Sequence, residues 1–342
     1  MWRATPRPES HGARGRGRAA RRALAAALSS LGLVAAAPAA HADAPASSPC
    51  AATTLATVEA VDSAVANSVY GGELEGGEVI ADARHVAGSA ALASAVARGD
   101  AAAALAAVKA IVYHPFWHIV RLAVLDTSGT VVATYGGRYV LAPVSGQLVW
   151  HGKVVGSFLM SVQDDIGFAK LESRFVGDPI GLYLGGSLVA ELGGTLPPAP
   201  PAATLLELHG ERYGVVTESY RAIPLAPLEA VILVRSPPAS LAAQSCTAVR
   251  ATETARVVAR IAARYPHLVA TLGAFVETAS SYTGATVIAR VGARTVTGGA
   301  GPVPATLPAS GPLSDGAQQW WVVSFAPARD TRVYVLVPTP SS

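Results

Sequence analysis

Apolar residues recur at spacings of three and four through Thr53–Val69 and again through Glu78–Val96, the pattern of amphipathic helices. Gly71-Gly72 and Gly76-Gly77 separate the two stretches, which predicts a kinked or two-part helix. Further on, Gly99 suits a helix C-terminal cap and Asp100 the N-cap of a helix over Ala101–Val112. From Ile119 the period changes to two. Val120, Leu122 and Val124 share one face of a strand; Ile119, Arg121 and Ala123 share the other. Asp126–Gly129 suits a tight turn into a return strand, Thr130–Tyr135. Strands are expected again at Tyr139–Val144, Gln147–Trp150 and Val154–Val162, where Gly156 marks a bulge or a close backbone approach. Ser161 followed three residues later by Asp164 matches a capping box for a helix over Ile166–Phe175.

The later half contains a repeat. FVGDPIGLYLGGSLV (Phe175–Val189) matches YTGATVIARVGARTV (Tyr282–Val296) at an offset of 107, keeping Gly177/Gly284, Gly185/Gly292 and Val189/Val296. Each copy is followed by a Pro/Gly-rich loop and a pair of strands, and helices over Cys246–Leu268 and Leu272–Ser280 precede the second copy. Strands cluster instead of alternating with helices. That is the pattern of an α+β fold with antiparallel sheets covered by helices on one face.

Charge changes the picture at the N-terminus. Residues 1–42 hold seven arginines, a short apolar run Ala23–Ala39 and an Ala40-His41-Ala42 cleavage signal, so they read as a signal peptide, with an uncleaved anchor as the alternative. Residues 43–52 are small and polar and are expected to be a disordered mature N-terminus. Removing the leader takes away seven arginines and one acid, Glu9, and turns the formal net charge from +3 to −3. The basic character belongs to the leader. The remaining chain has no Lys/Arg stripe with interleaved aromatics, so no nucleic-acid partner is expected. No later run reaches the length of a spanning helix, so no stable membrane span is expected after leader cleavage, and the protein should be secreted or extracytoplasmic. Cys50 and Cys246 both follow the leader. In an exported chain they read as one disulfide, the alternative being two buried thiols.

Catalytic patterns are absent: there is no G-x-S-x-G, S-x-x-K, H-E-x-x-H or phosphate loop. No enzyme, cofactor or metal is expected. His114 and His118 have the spacing of a helical ligand pair, but Pro115 and the change of period argue against a continuous helix there. Trp117, His118, Arg121, Tyr135, Arg138, Tyr139, Ser161 and Gln163 supply the aromatic walls and polar groups a small-ligand pocket needs. Arg138 could grip a carboxylate in two-point fashion. Asp164 and Asp165 fit either of two roles, stabilising a helix N-terminus or pairing a ligand amine.

Over His114–Gly177 the helix, the turn-linked strands, the G-K-V-V-G of Gly152–Gly156 and the acidic helix start resemble the Cache family, the PAS-like extracytoplasmic sensor modules of bacterial receptors. The resemblance covers roughly Thr53–Pro338 and is strongest over Trp117–Gly177. It implies an α+β fold with N-terminal helices packed on antiparallel PAS-like (Cache-like) sheets, and a second related half-module. The implied division is a Cache-like PAS-type module over 53–236, then connector helices and the second half-module over 237–338. It also implies a non-catalytic sensor-like function: binding a small organic ligand, such as a carboxylate or an amino acid, in a pocket framed by Tyr135–Tyr139 and Ser157–Gln163. Family members usually lie between two membrane spans and feed a kinase or chemoreceptor. No second span or output domain is recognised here, so a membrane receptor or an envelope protein is the expected partner. The alternative is an envelope interaction protein of the same fold without a functional pocket.

Overall fold

The computed structural model describes residue 50 and residues 53–340, except 138–139, 142–143, 195, 224–227, 266–267, 269 and 317. The leader, the disordered-segment expectation for 43–49 and 51–52, and the candidate residues Arg138 and Tyr139 lie outside the described residues.

Four helices come first: α1 (Thr54–Glu75), α2 (Gly77–Ala87), α3 (Ala90–Ala97) and α4 (Ala101–Val112). The break falls at Gly76, whose extended backbone (φ −60°, ψ 146°) stops α1, while α1 runs unbroken through Gly71-Gly72. The second apolar stretch, Glu78–Val96, is two helices rather than one. Gly88 ends α2, and the Ser89 hydroxyl accepts the Leu92 N–H to open α3. Asp100 caps α4 by accepting the Ala103 N–H at 3.0 Å.

The strands follow: β1 (Arg121–Asp126), β2 (Val131–Gly136), β3 (Val140–Leu141), β4 (Val144–Trp150), β5 (Lys153–Ser161) and β6 (Gln163–Asp164). Asp126 builds the first hairpin, its Oδ1 accepting the N–H groups of Ser128 and Thr130. Next come α5 (Asp165–Val176), β7 (Ile180–Leu184), β8 (Ser187–Leu192), β9 (Leu205–Leu208), β10 (Glu211–Tyr220), β11 (Ala222–Ile223) and β12 (Leu228–Arg235). The chain finishes with α6 (Ala239–Ala242), α7 (Cys246–Ala262), α8 (Leu272–Thr283), β13 (Thr286–Val291), β14 (Arg294–Gly298), β15 (Ser310–Asp315), β16 (Gln318–Ala328) and β17 (Thr331–Pro338).

All strand pairs are antiparallel, and the fold is α+β, with helices covering antiparallel sheets. The sheet orders are β2-β1-β5-β4, β8-β7-β12-β10-β9 and β14-β13-β17-β16-β15; a small sheet, β11-β3-β6, lies apart. The second and third sheets have the same order, and the first follows it except that its third strand, β3, joins the small sheet. The sequence repeat therefore maps onto one topology used twice. In both copies a 12-residue helix ends at a left-handed glycine, Gly177 (φ 79°) or Gly284 (φ 65°), and turns into the first strand.

Helices α2, α3 and α4 cover the first sheet around Leu92, Val108, Leu122, Phe158 and Met160. Gly156 is a close approach: a Cβ there would collide with the Leu125 carbonyl of β1. The other two sheets enclose a double layer of helices, α1 and α5 on the second sheet and α7 and α8 on the third. Phe168, Val176, Leu182, Ile232, Val258, Phe275, Val287 and Val335 fill that interior. The outer faces are closed by loops: Leu196 seals Tyr183 and Leu233 on the second sheet, and Leu307 packs over Ile288 and Leu336 on the third. Cys50 and Cys246 form a disulfide that fastens the start of α1 to the start of α7, with the Cys50 N–H also donating to the Gln244 carbonyl at 2.7 Å. Among the described residues no helix is long and apolar enough to cross a membrane.

Candidate functional site

A cleft of about 610 Å³ opens at the break between α1 and α2. Its walls are Gly72–Val79 without Leu74 and Glu75, the Trp117–Val120 segment entering β1, and Val162-Gln163 leaving β5. Three of the expected pocket residues, Trp117, His118 and Gln163, meet here. Their convergence follows from pairing: β5 lies beside β1, so the end of one strand meets the start of the other, and Val120 N–H donates to Ser161 O at 2.8 Å.

Trp117 is held by aromatic packing against His114 (ring centroids 3.9 Å apart) and His85 of α2 (4.9 Å). The loop is pinned to α2 because the His118 N–H donates to the Asp82 carboxylate at 3.2 Å, and Asp82 is itself buried. The exposed His118 ring lies 3.5 Å from Glu78. Glu73 sits half-buried on the opposite wall and takes a hydrogen bond from the Gln163 side chain. Burial raises the Glu73 pKa; the Gln163 bond opposes that, and neighbouring Glu78 adds to it. Among the described lining residues there are two carboxylates and a carboxamide but no Lys or Arg. That arrangement attracts cations.

The other expected residues lie elsewhere. Tyr135 pairs across β1 with Leu122 and packs under α4, where its hydroxyl meets that of Tyr113 and its ring lies 5.3 Å from the Lys109 ammonium. The Arg121 guanidinium donates to Gly137 O at 2.9 Å. Ser161 is fully buried and closes a local turn, its hydroxyl donating to Gln163 O at 3.0 Å. It does not cap the following helix. Asp164 does, accepting the Gly167 N–H, and the helix begins at Asp165, one residue before the expected Ile166. The β3-β6 pairing extends the chain through Gln163-Asp164 and carries Ser161 out of reach of the helix. Asp164 thus serves as a helix cap and Asp165 as its first residue.

Glu73 and Glu78 were not anticipated as site residues. Their signal was the run GGELEGGE (Gly71–Glu78), in which paired glycines stop a helix just where acidic side chains are exposed. A larger groove, about 990 Å³, lies between the end of α7 and β16. Alanines, Leu268, Phe325 and Pro327 dominate its lining, and among the described lining residues Tyr265 and Arg294 carry the polar side chains.

A second group of ionisable residues, its acids buried and its arginine partly exposed, lies where the helix layers meet. Arg256 of α7 binds Glu253 on its own helix, Asp178 after α5 (3.4 Å) and Asp62 of α1 (3.6 Å). Asp62 is fully buried, and its pKa is pushed up to about 9, first by burial and then by Glu253 and Asp178. Nearby in the same core, buried Glu172 accepts the Tyr220 hydroxyl at 3.1 Å, and burial pushes its pKa up to about 8. Tyr70 of α1 stacks on Tyr220 with ring centroids 4.2 Å apart. None of these groups is among the residues lining the cleft described above. Among the described residues no three His, Cys, Asp or Glu side chains converge as metal ligands.

No protein-family model and no curated protein matches the chain. Among solved structures, the periplasmic domain of Vibrio cholerae LuxQ is similar over 54% of this chain and 100% of that domain, with 9% sequence identity and a TM-score of 0.29.

Proposed function

We propose that the chain is a non-catalytic, extracytoplasmic small-ligand-binding protein of the Cache-like sensor type, with its ligand held in the cleft at the α1–α2 break. The observation that carries this reading is the meeting of Trp117, His118, Gln163, Glu73 and Glu78 around one 610 Å³ space. An apolar aromatic wall with a few aimed polar groups is what a specific small-molecule site requires. The acidic walls favour a ligand bearing an ammonium group, and an amino acid qualifies.

A thermal-shift screen of the full chain against amines, amino acids and carboxylates tests the reading. An amine-bearing compound should raise the melting temperature. Glu73→Gln should weaken it at least about tenfold, the loss of one charge-assisted hydrogen bond. Affinity should rise with pH as the Glu73 carboxyl, held high by burial, gives up its proton. A screen with no hit, or a hit indifferent to Glu73→Gln and Trp117→Ala, would overturn the proposal. Capture of one specific envelope protein in its place would support an interaction role.

A further inference from the structure

The two sulfurs of the disulfide are placed in unequal surroundings. Cys50 is 2% exposed, whereas Cys246 is an exposed residue at the first position of the 17-residue helix α7. Two hydroxyl groups lie beside the disulfide, one of them between both sulfurs. Thr53 Oγ1 lies 3.3 Å from Cys50 Sγ and 3.2 Å from Cys246 Sγ, and Thr57 Oγ1 lies 3.5 Å from Cys50 Sγ. An incoming thiolate must approach a disulfide sulfur directly, so accessibility selects the sulfur attacked and the other departs. Thr53 Oγ1 reaches both sulfurs and the Thr57 hydroxyl donates to Thr53 O at 2.9 Å, so exposure is the difference between the two sulfurs.

We infer that Cys246 is a thiol-modification site: a small external monothiol opens the Cys50–Cys246 bond from the Cys246 side and remains attached there as a mixed disulfide. The attacking thiolate forms a bond to Cys246 Sγ as the Sγ–Sγ bond breaks, and the electron pair leaves on Cys50 Sγ, which then takes a proton from water. A second equivalent of the monothiol can attack the adduct, releasing the monothiol as its own disulfide and leaving Cys246 as a free thiol. In total two electrons pass from two monothiols to the protein. The modified residue opens α7, and the released residue lies just before α1. Opening the clasp therefore frees the start of the helix whose far end, Gly72-Glu73, lines the cleft.

The test treats the native full chain with 2-mercaptoethanol, quenches with acid, alkylates free thiols and maps both cysteines by peptide mass spectrometry. The expected result is the mercaptoethanol adduct on Cys246 and the alkyl group on Cys50. Adduct predominantly on Cys50, adduct shared equally, or reaction only after denaturant is added would each overturn the inference. Single variants give an independent reading. Native Cys50→Ser, which leaves Cys246 free, should react with a chromogenic aromatic disulfide at least about tenfold faster than Cys246→Ser, which leaves Cys50 buried. Equal rates, or a faster Cys246→Ser, would overturn it as well.

Discussion

The two copies of the repeat share a backbone plan and differ in chemistry at the same places. Helices α5 and α8 each have 12 residues, each ends in a left-handed glycine, and each covers a five-stranded sheet of the same order. At the repeat offset of 107, Phe168 corresponds to Phe275, and both are fully buried. Glu172, however, corresponds to Ala279, and Asp178 to Ala285; all four are buried. One copy thus carries two buried carboxyls where the other carries two methyl groups. The topology does not require acids at these positions. It requires apolar filling, and the acids are an addition that only one copy can host. Glu172 has the Tyr220 hydroxyl as a donor, and Asp178 has Arg256. A buried polar group persists where such partners exist and is excluded where they do not.

Ala279→Glu breaks this comparison most severely. It would set a carboxyl in a fully buried site of the third-sheet layer and should cost about 4 kcal/mol or more, from desolvation alone. Chemical denaturation measures it; a loss under about 1 kcal/mol would mean that the two sites are equally able to hold an acid. The phenylalanines test the shared part. Phe168→Ala and Phe275→Ala should each cost about 3–5 kcal/mol, with similar values if the copies pack alike. A marked inequality would show that equal topology conceals unequal packing. Glu172→Ala, which installs the residue of the second copy, should cost about 1–3 kcal/mol because the buried Tyr220 hydroxyl loses its acceptor. Glu172→Gln keeps an acceptor and should cost less.

A further difference is the dependence on pH. Asp62 moves from an ordinary 3.8 to about 9 and Glu172 from 4.5 to about 8 in the folded protein. Both carboxyls bind protons more tightly when folded. Their contribution is fully present below about pH 4 and is lost as pH rises through 8–9, because the unfolded chain ionises first. The melting temperature should therefore fall between pH 5 and pH 9 through these two groups. Asp62→Asn combined with Glu172→Gln should flatten that slope, and calorimetry across the range reads it directly. An unchanged slope in the double variant would assign the dependence to other groups.

Much of the local structure could be read from the chain. The Asp100 cap, the Asp126 turn and the stop at Gly76 are each written in a few neighbouring residues, and the cysteine pair follows from there being two cysteines beyond the leader. Part of the site was also legible, since Trp117, His118 and Gln163 flank strands whose pairing the hydrophobic alternation implies. That Tyr135 lies under α4 and not in this cleft was not legible, because alternation says that a residue faces one side of a sheet without saying which side the helices cover. Glu73 and Glu78 join the cleft only because the loop before β1 comes to lie beside the α1–α2 break, which no pattern along the chain states.

Short-range physics is what the sequence by itself determined: period, caps, turns, one repeated helix-and-sheet plan, and two thiols available to one another. Tertiary structure alone decided which acids would be buried. Asp62, Asp178 and Glu253 stand on three separate segments and are unremarkable one by one. Packing α1, α5 and α7 into one interior places them around Arg256 and withdraws their water. Desolvation depends on everything that surrounds a group, and no local pattern along the chain encodes it.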